Sequence, residues 1–249
     1  MQENDKLINK KNIVVGALQP GYLPWLGFFD QICQSDIFIL YDDMQYNRYS
    51  WRNRNRIKGA HGETWLTVPV KRNPGQLISK ARTDNTKNWQ KKHWKTILQC
   101  YINAPFFKKH SPFFEEVYHT PWEYLCELDI KIIQYIVKEL GIKTKILRSS
   151  ELGLEERFRK QGYIKDRKTE RIIFFMKELN ANLFFEGAKG KEYINEEMLK
   201  DVNLKIEFQD YIHPAYNQQF ENFIPYLSVV DLLFNHGDES LDILTGRIE

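Results

Sequence analysis

Two apolar runs, Ile13 to Leu18 and Ile37 to Tyr41, each end abruptly in residues of a different kind: Gln19-Pro20-Gly21-Tyr22 after the first, Asp42-Asp43 after the second. Unbroken apolar runs of this length belong to strands buried on both faces, which occur in parallel sheets covered by helices. Similar runs recur at Trp65 to Val70, Thr144 to Leu147, Leu183 to Phe185 and Leu204 to Phe208. Between them stand helical patterns at Pro24 to Gln34, Asn88 to Tyr101, Pro121 to Leu140 and Thr169 to Leu179. The last of these places Ile172, Ile173, Phe175, Met176 and Leu179 on one face. Proline suits the first turn of the first helix, and Gly141 suits the C-terminal cap of the third. This alternation predicts an α/β fold, a mostly parallel Rossmann-like sheet with right-handed crossovers. The consecutive helices at about 88–140 are expected as a helical layer or subdomain within one domain spanning residues 1–249.

Ligands in such folds bind beyond the C-terminal ends of the strands, so the residues just past each run are the first candidates for chemistry. A helix that follows Gln19 to Tyr22 aims its unpaired N–H groups at that corner. The layout resembles that of nucleotidyltransferase-type α/β proteins, but their paired histidines are absent and Trp25, Gly27 and Phe28 fill the region, so adenylation by that route is not expected. A tight turn built by proline and glycine explains the same residues. Asp42 and Asp43 offer a proton acceptor or a ligand for a hydroxyl, or else a solvated turn; adjacent strand residues face opposite sides, so at most one is expected at the site.

Arg48, Arg52, Arg54 and Arg56 alternate with Tyr49, Trp51, Asn53 and Asn55. Guanidinium forks match phosphate and carboxylate, while aromatic faces accept a base or a sugar. A nucleotide-linked sugar presents all of these groups. In an extended segment the arginines would line one face, with Trp51, Asn53 and Asn55 on the other. His93, within WQKKHW, has the near-neutral titration of a general base, although a lone helical histidine is commonly structural. His213 and Tyr216 in YIHPAYNQQF are expected on a shaped loop at the substrate, and Lys189 in a glycine-bounded loop offers a phosphate clamp without forming a Walker pattern. Ser228 and Asp231 share a helix face that capping and packing explain equally well. Lys71 to Asn88 reads as a long loop able to cover a ligand, and Ser149 to Lys168 as charged and weakly periodic.

Several classes are disfavoured. A formal net charge of +3 lacks the excess of basic groups that a dedicated nucleic-acid binder uses against phosphate. Cys33, Cys100 and Cys126 are too far apart to make a zinc or redox motif and read as small core residues. No Gly-x-Ser-x-Gly elbow points to an acyl-enzyme, and too few carboxylates cluster to predict a metal. No run reaches the length of a membrane span, and the polar first residues lack an apolar signal core, so a cytoplasmic protein is expected.

The blocks QPGYLPWLGFFDQI, SDIFILYDD, RNRNRIK, WLTVPV, NWQKKHWKTI and YIHPAYNQQF together resemble the WbqC-like family of bacterial polysaccharide loci. The resemblance implies a place in O-antigen or related glycan biosynthesis and a transferase that N-acylates a nucleotide-linked amino sugar with a glycyl or other acyl group. On that reading Gln19, Tyr22, Trp25, Tyr46, Arg52, Asn53, Arg54, Lys189, His213 and Tyr216 contact substrate, and His93, Asp42 or Asp43 takes the proton of the sugar amine, with His213 competing for that role. Acyl-coenzyme A and an ATP-activated amino acid both remain open as donor. The rival expectation is a protein that binds sugar nucleotides, or supports a biosynthetic complex, without catalysis.

Overall fold

A computed structural model describes residues 12–48, 50–162 and 166–248. In chain order the elements are β1 Val14–Leu18, α1 Leu26–Cys33, β2 Ile37–Leu40, β3 Arg54–Gly59, β4 Gly62–Thr67, α2 Trp89–Tyr101, α3 Phe107–His119 and α4 Leu125–Glu139. There follow β5 Lys145–Arg148, α5 Ser149–Leu152, α6 Leu154–Arg159, α7 Arg167–Glu178, β6 Leu183–Glu186, α8 Glu196–Lys200, β7 Lys205–Phe208, α9 Val229–His236 and α10 Ser240–Leu244.

Five strands form an all-parallel sheet in the order β5-β2-β1-β6-β7, as a Rossmann-like α/β fold requires. Its central strands are largely apolar because each face meets helices, while the outer strands β5 and β7 carry Lys145, Arg148, Lys205 and Glu207. Phe38 and Leu40 join a core with α1, α2, α3, α4, α9 and α10. Val15, Ile37, Ile39 and Phe184 face the opposite way, into a core with α6, α7 and α8. Gly16 sits under this packing: a Cβ there would lie 2.5 Å from Ser35 Oγ and 2.9 Å from the Phe38 ring. The consecutive helices α2 to α4 supply most of the first core, and α4 ends at Gly141 with φ +70°, the left-handed cap that glycine adopts without strain.

Two expectations need correction. The Trp65 to Val70 run is not a strand of the parallel sheet; its first residues belong to β4, which pairs antiparallel with β3 in a separate hairpin. Parallel pairing needs a crossover of a dozen or more residues, whereas Gly59 and Gly62 pair across Ala60-His61, with Gly62 at φ +113°. Helix α3 has no counterpart in the sequence reading, since Pro112 lies inside it. Its buried face of Phe107, His110, Phe114, Val117 and Tyr118 nevertheless keeps the helical period. The Lys71 to Asn88 segment is anchored by Ile78 N–H on the Met44 carbonyl and Ser79 N–H on the Asp42 carbonyl, both at 2.8 Å, and its first residues, Lys71 to Gln76, border a hollow beside Tyr46. Within Ser149 to Lys168, α5 and α6 are formed, and Tyr163 to Lys165 lie outside the described residues. No helix among the described residues is long and apolar enough to cross a membrane.

Candidate functional site

The chain leaves β1 at Gln19, turns through Pro20-Gly21, and meets the hairpin. Tyr22 N–H donates to the Arg52 carbonyl at 3.1 Å, and Arg52 Nη1 returns a hydrogen bond of 2.7 Å to the Gln19 carbonyl. Gly21 permits this approach, because a Cβ would stand 2.8 Å from the Trp51 carbonyl oxygen. The result is a cleft of about 350 Å³ lined by Gln19, Trp25, Trp51, Arg52, Asn55, Arg56 and Tyr226, with Leu18 and Phe28 at its base.

Its walls are aromatic. Trp51 stacks on Trp65 with centroids 5.6 Å apart and a 16° angle between planes, and the Arg56 guanidinium lies 5.7 Å from each ring centroid. Arg54 stacks on Trp65 at 4.6 Å and does not line the cleft. The expected division of faces is therefore half met: Asn53 and Asn55 are buried and bonded to the Val68 and Leu23 carbonyls, while Trp51 has joined the arginine side. The segment becomes a regular strand only from Arg54 onwards, so the alternation does not extend back to Trp51. Opposite, Tyr226 meets Trp25 at 5.8 Å and rests on His213 at 5.0 Å. His213 and Tyr216 do not line the cleft; they support Tyr226 and Phe223 from behind.

Arg52 is held in an apolar setting. Burial pushes its pKa down to about 10, with the charge of Asp129 opposing. Asp129 on α4 is fully buried, and burial raises its carboxyl well above the usual range against the pull of Arg52.

A second cavity, of about 440 Å³, adjoins the first and shares Leu18, Gln19 and Arg52 with it. It occupies the topological switch point between β1 and β6, where the strand order reverses direction. Lys168, Arg171, Glu186, Tyr193, Tyr41 and Phe175 complete its lining. Glu186, Lys168 and Tyr226 were missed in the sequence. Glu186 carried the one available signal, an acid closing the apolar run Leu183 to Phe185 at a strand terminus.

The remaining expected residues lie outside these two cavities. Asp42 is fully buried and accepts hydrogen bonds from Ser150 N (3.0 Å), Ser150 Oγ (2.7 Å), Ser149 Oγ (3.2 Å) and Arg148 Nε and Nη2 (3.2 and 3.0 Å). Burial acts to raise its pKa, but the Ser150 and Arg148 bonds outweigh it and hold the carboxyl below its ordinary value. Asp43, raised by burial, accepts from Ser149 Oγ at 2.6 Å and lines a different hollow beside Arg148 and Arg159. Tyr46 borders another hollow, beside Arg48 and Lys71 to Gln76. Lys189 is exposed, and its loop is shaped by Gly190, where a Cβ would meet Glu186 Cγ at 2.3 Å.

His93 lies in the core. It is 6 % exposed, its Nδ1 is hydrogen-bonded to the Tyr22 hydroxyl at 2.8 Å, and that hydroxyl is 2.5 Å from Tyr118 Oη. Burial lowers its pKa to about 4, against the Thr67 backbone, so the ring is neutral at physiological pH. Neither cavity includes it or Tyr22. His93→Ala should cost about 2–4 kcal/mol of stability through the void left among Trp89, Tyr22 and Tyr118. Ligand affinity per folded molecule should stay as it was. Denaturant unfolding and ligand titration on one preparation check this, and unchanged stability with lost affinity would return His93 to the site.

Among the described residues no cluster of three or more His, Cys, Asp and Glu side chains is close enough to hold a metal ion. No solved structure matches the chain. A mycobacterial protein named "Uncharacterized protein Rv1507c" (Mycobacterium tuberculosis, strain ATCC 25618 / H37Rv) is 35% identical over 237 residues, covering 92% of this chain and 96% of that one. The WbqC-like protein family matches residues 19–243, which takes in the whole aromatic cleft and the switch-point cavity apart from Ala17 and Leu18, and the chain belongs to that family.

Proposed function

We propose that the protein is a cytoplasmic transferase of bacterial surface-glycan biosynthesis, such as that of O-antigen, that binds a nucleotide-linked amino sugar and joins an acyl group to its amine. The observation that carries this reading is the cleft in which Trp25, Trp51 and Tyr226 converge on Arg52 and Gln19. Aromatic faces suit a base and a sugar ring, a guanidinium suits a diphosphate, and the volume is that of a small-molecule site. The adjoining cavity leaves room for a second reactant. Acyl-coenzyme A and an ATP-activated amino acid both fit the reading as donor, and no residue selects between them.

Calorimetric titration with UDP-, dTDP- and GDP-linked amino sugars tests it. At least one should bind, and Arg52→Ala and Trp51→Ala should each weaken that binding by about tenfold or more, since a charged hydrogen bond in a partly desolvated site is worth roughly 1.5–3 kcal/mol and a stacked base about 1–3 kcal/mol. Arg54→Ala, whose guanidinium lies on Trp65, should change it far less. Binding by none of the panel, or equal binding by both variants in their folded state, refutes the reading.

One feature favours a second reading. Among the described residues the aromatic cleft holds no carboxylate and no imidazole, as suits a protein that binds sugar nucleotides without reacting them. Mass spectrometry of amino sugars incubated with the protein and each class of donor separates the two.

A further inference from the structure

Glu186 stands one residue beyond the pairing of Gly16 with Phe185, at the C-terminal end of β6, and Ala17 stands at the matching place on β1. The two strands part there, and the carboxylate enters the cavity between them. Its seat is built. Oε1 accepts hydrogen bonds from Gly187 N at 3.0 Å and from the Tyr193 hydroxyl at 3.4 Å. Behind it Gly190 lacks the Cβ that would collide with Glu186 Cγ.

The cations of the same cavity are engaged elsewhere. Arg171 donates from Nε and Nη2 to Glu155 at 2.7 and 3.0 Å, Lys168 Nζ lies 3.9 Å over the Tyr193 ring, and Arg52 is tied to the Gln19 carbonyl. Among the described residues no cation pairs with Glu186, and it is the one carboxylate that lines the cavity. Burial raises its pKa to about 7, with the Gly187 and Tyr193 bonds opposing. A carboxyl kept only for packing gains from donors on both oxygens or from a paired cation. One that is seated firmly, left without a counter-charge and turned to a cavity at the switch point has the character of a working group.

We infer that the switch-point cavity receives the amino group of the sugar, and that the Glu186 carboxylate binds this group and accepts its proton. The inference rests on the reading of the aromatic cleft as the nucleotide-sugar site, because the two cavities share Leu18, Gln19 and Arg52, so that a sugar nucleotide held in the first reaches the second. In the transfer, the nitrogen lone pair attacks the carbonyl carbon of an activated acyl donor, a thioester or an acyl adenylate. The carbon–nitrogen bond forms, the bond to the leaving group breaks with its electron pair going to that group, and the proton lost from nitrogen passes to Glu186.

The test compares UDP-glucosamine, which carries the free amine, with UDP-N-acetylglucosamine by calorimetric titration of the wild-type protein and Glu186→Gln, which preserves shape and hydrogen bonding at Oε1. The wild type should bind the free amine on the order of tenfold more tightly, the worth of one charged hydrogen bond. The variant should bind both within about twofold, with its affinity for the acetylated sugar unchanged. Equal binding of both sugars by the wild type, still lost in Trp51→Ala, overturns the role of Glu186 and leaves the nucleotide-sugar reading standing. Discrimination that survives in Glu186→Gln does the same. Failure of either sugar to bind the wild type overturns both.

Discussion

Asp42→Ala is expected to destabilise the protein by about 3 kcal/mol, the lower part of the range for removing one partner of a buried ion pair. The carboxylate is fully buried and gathers the donors of Arg148, Ser149 and Ser150, so its loss strips partners from the end of β5 and the first turn of α5 together. Arg148 retains Glu127 at 2.8 Å and Glu151 at 3.3 Å, which keeps the cost from the upper part of that range. Asp42→Asn should cost less, because an amide preserves one acceptor oxygen and the shape. Denaturant unfolding of the three proteins with a common slope gives the comparison. A fully stable Asp42→Ala protein that no longer transfers an acyl group would place Asp42 in the reaction and not in the scaffold.

Glu186→Gln should stabilise the protein above neutral pH by on the order of 2–3 kcal/mol. The folded pKa is raised from 4.5 to about 7, so the folded state holds the proton more tightly than the unfolded chain. Below pH 4.5 both states are protonated and the wild type carries no penalty. As pH rises from there through about 7 the folded protein must ionise a partly buried group at a cost, and the cost is complete above that value. Glutamine has nothing to ionise. The two melting temperatures should therefore agree near pH 4, separate between pH 4.5 and 7, and stay apart by a constant amount beyond. Of the other groups in the cavity, Arg52 is lowered by burial only to about 10, burial raises Tyr41, and burial with the Glu186 charge raises Tyr193 to about 12, so all three titrate above this window. Identical curves at every pH would mean that Glu186 ionises as freely as an exposed carboxylate.

The central parallel strands were legible because burial on both faces leaves almost no polar residue inside them; Ile37 to Leu40 shows this in four letters. Strand β3 was hidden for the opposite reason. Its sequence RNRIKG packs Asn55 and Ile57 inward and sets Arg54 and Arg56 against Trp65, so charge stands where an apolar signal was sought. At the site, Gln19, Trp25 and Arg52 could be found from their place just after β1 or within the arginine and aromatic alternation. Tyr226 could not, because its role arises from a tertiary contact with Trp25 that no local pattern encodes, and Glu186 left only the slight signal of an acid closing an apolar run at a strand terminus. The burial of His93 was legible as well: with Trp89, Ile97, Cys100 and Tyr101 it follows the buried stripe of α2, the helical period that points to the interior.

The strand order β5-β2-β1-β6-β7 also fixes when, during synthesis, the cavities come into being. The first half of the chain supplies Gln19, Trp51 and Arg52, but Lys168, Glu186 and Tyr193 must emerge before the switch point has a second wall, and Tyr226 must follow before the aromatic cleft is closed. A nascent chain folds its early segments first. Strands β1, β2 and β5 are available to pair before β6 exists, yet that partial sheet has an open edge at β1 and no place for a ligand. The aromatic cleft is thus complete only within the last tenth of the chain, and a product cut short before Tyr226 carries every residue of the switch-point cavity while its aromatic cleft lacks one wall.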